Sequence, residues 1–392
     1  MTRPPDALQR LRRVHEDLVL GTLRATGPLS RADIVERTGL SRTTLFAIIA
    51  DLVRRGAVTE AEARPSGARG RPPTLVALAP EAGQLIGLDL ARRRVHLAVA
   101  NVAHQVVATG TADVSERADA AERAETAVRL IRRVIGERGI GLGSLEAIGL
   151  GLHGVVDEPA RPAGEGANPA AERLAAEFGV RVAVDNNARL AALAESTWGA
   201  AKAVSDLVYV RWSTGIGGGY VVGGRLVRGA HGGAGELGHV SLDPGGPICH
   251  CGGRGCLEER AGGQALLEAC AARGVAVAGL DELVEAARDR VPEVCALITA
   301  AATRIGRVLA GTVVQLDPRR VVLGGELGAL GSLVLDPVRA EISRLALPNA
   351  AHSLDVVSAD LGGNASAMGA IALLLQEDPD IPDHLRPAPS PA

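Results

Sequence analysis

Residues 239–258 read HVSLDPGGPICHCGGRGCLE, placing one imidazole and three thiols, His239, Cys249, Cys251 and Cys256, in a single 20-residue segment. Four soft or borderline ligands complete a tetrahedral shell and leave no position for a catalytic water, so the segment predicts a structural zinc ion, one per chain. Gly245, Gly246, Gly252, Gly253 and Gly255 supply the turns that let ligands so close in sequence converge. His250 is a substitute ligand by position and His231 a remoter one, and neither fits as well as His239. Loop cysteines without metal are the plainer alternative. The other two cysteines, Cys270 and Cys295, stand apart in apolar helical sequence. A cluster of this kind in a chain without a secretion signal points to metal rather than disulfides.

On both sides of this segment, short apolar runs alternate with helical stretches. LIGLDLA (85–91), VHLAVAN (95–101), a helix over about 116–138 and AIGLGLHG (147–154) form one set. LVYVRWSTGIGGGYVVGG (207–224) and VVQLDPRRVVLGGELG (313–328) belong to a second. The texture predicts two α/β lobes with a cleft between them, without a short-period repeat. The tail EDPDIPDHLRPAPSPA (377–392) is Pro-rich and reads as disordered.

The first eighty residues differ. A helix over 14–26 is followed by SRADIVERTGL (30–40), opened by Ser30 and stopped by Gly39, and by SRTTLFAIIADLVRRGAV (41–58), capped by Ser41 and ending at Gly56. Two short helices joined by Thr38-Gly39-Leu40 make the helix-turn-helix pattern. Ser41, Arg42, Thr43 and Thr44 then meet double-stranded DNA, while Leu45, Ile48, Ile49 and Leu52 form the core behind them. An ordinary three-helix bundle with solvated arginines is the alternative. Val58 to Glu60 and Thr74 to Leu78 pair as a wing, with Arg64, Arg69 and Arg71 between them among Gly and Pro. That basic segment either enters a narrow minor groove or is a solvated linker.

Charge follows the same division. Residues 1–75 hold 13 Lys and Arg against 8 Asp and Glu and the remainder 29 against 37, so a head of +5 sits on a body of −8. A basic module on an acidic body suits DNA binding coupled to small-molecule binding. With 47% hydrophobic and 22% charged residues, and apolar stretches interrupted before a membrane span is reached, the chain is expected to be soluble, cytoplasmic and without a membrane partner. The N-terminus, MTRPPDALQRLRRVHEDL, has no apolar core of a signal peptide.

HGGAGELGH (231–239) followed by CHCGGRGCLE (249–258) resembles the zinc and sugar signature of the ROK family of bacterial repressors and sugar kinases. The likeness is to those members that carry an N-terminal winged helix, and it runs from about Leu11 to Leu375. It implies an all-α winged helix-turn-helix over 1–62, a wing and linker over 63–83, and an actin-like, hexokinase-type domain. The domain's lobes would span 84–200 and 201–376, the second holding the zinc loop, ahead of a tail over 377–392.

The resemblance also implies that Glu236, His239 and Glu258 reach the hydroxyls of a bound sugar, with zinc holding His239 in one tautomer. Glu258 capping a helix and Glu236 pairing with an arginine are the alternative. Asn186, in VAVDNNARLAALAE (182–195), becomes a sugar ligand, and Asn168 a weaker one. Asn187 stands where the family's kinases have the Asp that takes the sugar hydroxyl proton; an amide cannot accept it, although it still hydrogen-bonds the hydroxyl. The kinases' first phosphate loop, Asp-x-Gly-Gly-Thr, reads Asp89-Leu90-Ala91-Arg92-Arg93, which adds bulk where backbone must approach phosphate. Arg92 or Arg93 could itself hold an anion. Ser213 to Gly219 keeps the second, Gly-rich loop, favoured as a hairpin turn, and His153 replaces the usual Pro before Gly154.

Together these residues describe a repressor without enzymatic activity, binding operator DNA as a homodimer or homotetramer and sensing a sugar or sugar derivative. An ATP-dependent sugar kinase with an accessory head, and a scaffold that uses the basic head for RNA or a protein, are the competing expectations.

Overall fold

A computed structural model of the chain describes residues 15–16, 18–23, 26–54, 57–62, 74–79, 84–101, 105–140, 145–154, 156 and 168–377. Arg64, Arg69, Arg71 and the expected tail from residue 378 onward lie outside them. In the head, residues 18–23 are helical and precede β1 (Leu29–Ser30), α1 (Arg31–Thr38), α2 (Arg42–Arg54), β2 (Val58–Glu62) and β3 (Thr74–Leu78). The boundaries of α1 follow from local chemistry. Ser30 and Asp33 exchange hydrogen bonds in a capping box, and Gly39 ends the helix at φ +69°. Ser41 Oγ accepts the Thr44 N–H at 3.1 Å and opens α2, which is described as far as Arg54; the expected end at Gly56 lies outside the described residues.

The head is not all-helical. β3 lies between β1 and β2 in an antiparallel three-stranded sheet, with Val58 opposite Leu78 and Glu62 opposite Thr74. Val76 is completely buried among Leu20, Ile34, Leu45, Ile49 and Leu52, so the wing strand belongs to the head's core and not to a linker.

Two five-stranded sheets follow. The first contains β4 (Gln84–Leu90), β5 (Arg94–Ala100), β6 (Val106–Asp113), β7 (Leu145–Leu152) and β8 (Arg181–Asn186), in the order β6-β5-β4-β7-β8. The second contains β9 (Leu207–Trp212), β10 (Ile216–Val222), β11 (Arg225–Val227), β12 (Arg320–Gly324) and β13 (Asp355–Ser358), in the order β11-β10-β9-β12-β13. Each is an antiparallel meander of three strands extended by two parallel ones, so the lobes repeat one topology that the sequence does not display as a repeat.

The remaining helices are α3 (Ala120–Arg138), α4 (Pro169–Phe178), α5 (Asn187–Thr197), α6 (Glu258–Ala261), α7 (Gly263–Ala271), α8 (Leu280–Arg288), α9 (Pro292–Leu316), α10 (Gly325–Gly328), α11 (Ser332–Leu345), α12 (Pro348–Ser353) and α13 (Ala365–Glu377). Helix α3 starts at Ala120, four residues later than expected, because Asp119 caps it. Helix α9 is 25 residues long and apolar enough to cross a membrane by length and composition. Its buried face, Ile298, Ala301, Ile305 and Leu309, is instead packed in the core of the second lobe with Val321, Leu323 and Val338.

Chain order and lobe membership part company at the C-terminus. Helix α13 lies in the range expected for the second lobe, yet Ala367, Ala370, Ile371 and Leu374 pack on Leu85, Ala98 and Ala147 of the first sheet. It approaches so closely that a Cβ at Gly87 would stand 1.8 Å from the Ala367 carbonyl oxygen. Helix α5 lies between the sheets: Leu190 and Leu193 pack with the first lobe, while Ala191 and Ala192 pack with Leu207, Tyr209 and Val221 of the second. Asn186 and Asn187, two of the candidate ligand residues, stand at its N-terminus.

Candidate metal centre and ligand site

The segment 239–258 folds back on itself as a narrow ribbon. Ser241 pairs with Cys256 and Ile248 with Arg254, and Leu242 N–H donates to Gly255 O at 2.9 Å. Two glycines are required for the turn. Gly252 has φ +87°, and Gly255 has φ +60° with no room for a Cβ, which would stand 1.8 Å from Asp243 O. The ribbon gathers one atom from each of His239, Cys249, Cys251 and Cys256 within 4.8 Å of one another. Cys249 Sγ is 3.6 Å from His239 Nδ1, and Cys251 Sγ is 3.7 Å from Cys256 Sγ. An ion bound tetrahedrally at about 2.3 Å from sulfur and about 2.1 Å from nitrogen separates its ligand atoms by roughly 3.6–3.8 Å. The cluster therefore has the dimensions to bind a metal ion. Burial raises the thiols of Cys249 and Cys256, and the Gly253 N–H lowers that of Cys251. His250 Nδ1 is also 3.7 Å from Cys249 Sγ, but its side chain is 69% exposed and points toward Glu258.

His239 faces two ways. Nδ1 is turned to the thiols, and Nε2 is 3.8 Å from Glu236 Oε2. His239, His250 and Glu258 also bring one ligand atom each within 4.8 Å of one another, so Glu236, His239 and Glu258 come together as expected. Glu258 does not cap α6: its Oε2 accepts the Ile216 N–H of the Gly-rich hairpin at 2.6 Å. The hairpin glycines have packing reasons as well. A Cβ at Gly219 would meet Ala192 and Arg189 of α5, and one at Gly218 would meet Leu237 and Gly235, at under 3 Å.

The asparagines take different positions. Asn186 caps α5, its Oδ1 accepting the Ala188 and Arg189 N–H groups at 2.8 and 3.1 Å while Nδ2 donates to Gly154 O. Asn187, buried, donates Nδ2 to Asp89 Oδ1 at 3.2 Å. Asn168 caps α4 through the Ala170 N–H, beside the undescribed 157–167, and no described contact joins it to the Glu236 group.

Asp89, completely buried at the end of β4, also receives Arg211 Nη1 of the second lobe at 3.4 Å. Residues 91–93 form the tight turn from β4 to β5; Arg123 Nη1 donates to Ala91 O at 2.6 Å, and Arg93 turns away to Glu116. His153 lies within electrostatic reach of this group. Desolvation first, and the charges of Arg92 and Arg211 second, hold its pKa below the ordinary value.

Sequence reasoning missed a buried ionic group beneath the site. Asp185, fully buried, accepts Arg189 Nε at 2.7 Å and Arg228 Nε at 2.8 Å, and Arg189 Nη1 also donates to Gly232 O. Asp185 lies in β8 and Arg189 in the first turn of α5, so their pairing across a strand-to-helix junction left no periodic signal in the sequence. In the head, the hydroxyls of Ser41 and Thr44 bond to each other at 2.8 Å, leaving Arg42 and Thr43 as the exposed residues at the start of α2.

Residues 85–377 match the ROK family and residues 18–71 the MarR family. The chain is similar to a xylose repressor of Caldicellulosiruptor bescii, 26% identical over 394 residues, covering 95% of this chain and 98% of that one. A glucokinase of Streptomyces coelicolor is 34% identical over 229 residues, covering 54% of this chain and 72% of that one. Among solved structures, a ROK family transcriptional regulator homologous to the Escherichia coli MLC protein superposes with a TM-score of 0.75 at 24% identity, over 96% of this chain and 98% of that one.

Proposed function

Because the chain belongs to the ROK family, we propose that it is a sugar-responsive, DNA-binding transcriptional repressor whose kinase-like domain binds its ligand without turning it over. The observation that carries this conclusion is the extent of similarity: the repressor relative matches 95% of the chain, winged head included, whereas the glucokinase matches 54%. On this reading the protein acts in the cytoplasm as a homodimer or homotetramer. Ser41, Arg42, Thr43 and Thr44 belong to the operator contact, with Arg69 and Arg71 of the wing loop. Phosphate contacts give salt-sensitive affinity and base contacts give discrimination.

Glu236, His239 and Glu258 bind sugar hydroxyls, with Asn186, Asn187 and Asn168 as further ligands. Supporting this is the convergence of the first three around one imidazole. Since Asn186 Oδ1 is occupied by the helix cap, its contribution to a sugar comes from Nδ2. The metal is zinc, bound by His239, Cys249, Cys251 and Cys256. Bound there, it cross-links the ribbon and fixes the His239 tautomer so that Nε2 faces the ligand. A sugar shifts DNA binding by preferring one arrangement of the domain.

The test is fluorescence anisotropy of the full chain on a duplex from its own upstream region, across a salt series, with and without sugars and sugar phosphates. Selective binding altered by one sugar is expected; equal, weak binding to any duplex overturns the proposal.

Asn187→Asp is expected not to start sugar phosphorylation, because Ala91, Arg92 and Arg93 still occupy the phosphate loop. It sets a second carboxylate within about 3.2 Å of Asp89, and like charges that close raise one pKa. A carboxyl with a raised folded-state pKa loses stability as pH rises, so the variant should melt below the wild type by more at pH 8 than at pH 5. Sugar-dependent ADP release by either protein overturns the loss of kinase chemistry.

A further inference from the structure

The outward face of α2 carries an aromatic side chain that the operator contact above leaves unused. Leu45, Ile48, Ile49 and Leu52 point into the head, and Arg42, Thr43, Phe46, Ala47 and Ala50 are exposed on the other side. Phe46 is 50% exposed. A solitary exposed apolar residue is ordinary on a protein surface, but this ring is held in place. The Arg31 guanidinium, from the first residue of α1, lies 4.2 Å from its centroid. Arg31 is itself anchored to the wing, donating Nε and Nη2 to Glu60 Oε1 at 3.0 and 2.5 Å. One face of Phe46 is thus stacked on a cation fixed by a second element, while the rest stays in solvent. A ring already fixed loses little freedom on binding.

Helical side chains lean toward the N-terminus, so Phe46 covers the surface beside Arg42 and Thr43, the residues proposed to meet base edges. In the major groove the one apolar group a base presents is the C5-methyl of thymine, and Phe is among the side chains that contact it.

We infer that Phe46 is a specificity-determining residue that reads a thymine methyl in each operator half-site, with Arg31 and Glu60 as its positioning residues. The inference rests on the DNA-binding reading of the head and adds to it one base preference and its cause. Arginine and threonine at the start of the helix offer hydrogen bonds, which distinguish purines and phosphates; the ring supplies discrimination between thymine and cytosine.

The experiment selects tight-binding duplexes from a random pool with the full chain. It then replaces each thymine in turn by deoxyuridine, which removes only the methyl, and measures affinity for the wild type, Phe46→Ala and Phe46→Leu. In the wild type, one position per half-site should lose about fourfold in affinity on losing its methyl, equivalent to about 0.8 kcal/mol at about 1.4 kcal/mol per tenfold. Phe46→Ala should bind the intact duplex more weakly by a similar factor and be indifferent to that methyl, and Phe46→Leu should keep part of the discrimination. Because Phe46 lies outside the core, both variants should melt with the wild type. Selective binding with no methyl-sensitive thymine, or with a sensitivity that persists in Phe46→Ala, overturns the inference and leaves the repressor reading intact. Failure to select any duplex overturns the repressor reading itself.

Discussion

Cys256→Ser, or dialysis of the wild type against a strong chelator, is expected to remove about one zinc ion per chain and to abolish the effect of sugar on DNA binding, while DNA binding itself survives. Cys256 is 1% exposed, bridges Ser241 where the arms of the ribbon close, and lies 3.7 Å from Cys251 Sγ. The ribbon has little else to hold its shape: two isolated bridges and a few backbone bonds join its arms. A structural zinc contributes on the order of 10–16 kcal/mol to small metal-dependent folds, far above any one side-chain contact. Glu236, His239 and Glu258 lie within or beside the ribbon and lose their common geometry with it. The head keeps its own core around Leu20, Ile34, Leu45, Ile49 and Val76. Metal analysis and operator anisotropy with and without sugar decide the matter. Full zinc content and an unchanged sugar response in Cys256→Ser would show that the cluster is not the metal centre.

Arg189→Ala should lower stability by about 3–5 kcal/mol, because it leaves Asp185 buried with half its cationic partners. Asp185 is held by Arg189 at 2.7 Å and Arg228 at 2.8 Å, and Arg189 also reaches Gly232 O, four residues before Glu236. One residue thus braces both the strand end that presents Asn186 and the loop that presents Glu236. A melting temperature lower by about 5 °C is expected for a chain of this size, together with loss of the sugar response. The double variant Asp185→Asn with Arg189→Met should recover much of the stability, since removing both partners leaves no uncompensated charge. Calorimetry of the three proteins is the check, and a single variant melting within a degree of the wild type would refute the bracing role.

Much of the fold could be read because its signals are local. Ser30, Gly39 and Ser41 act through hydrogen bonds within four residues, and they placed both ends of α1 and the start of α2 correctly. The four zinc-ligand candidates lie in one segment whose glycines permit only a tight return, so their convergence was legible as well. The wing pairing of Val58 to Glu60 with Thr74 to Leu78 was legible, but it is at odds with an all-helical head, and neither the pairing of β1 with β3 nor the entry of Val76 into the core left a local signal.

The sequence by itself determined the helix-turn-helix, the wing strands, the convergence of one histidine and three cysteines and the amide at position 187, since each depends on residue type and short spacing. Only the tertiary structure decided that α13 returns to the first lobe, that α5 is shared by both sheets, and that the two sheets repeat one strand order. It alone brought Asn187 and Arg211 to Asp89, across 98 and 122 residues of chain. The physical reason is that a cap or a turn is stabilised by neighbours in the chain. A buried ion pair or a helix lying against a sheet glycine is stabilised by partners whose distance in sequence leaves no periodicity to read.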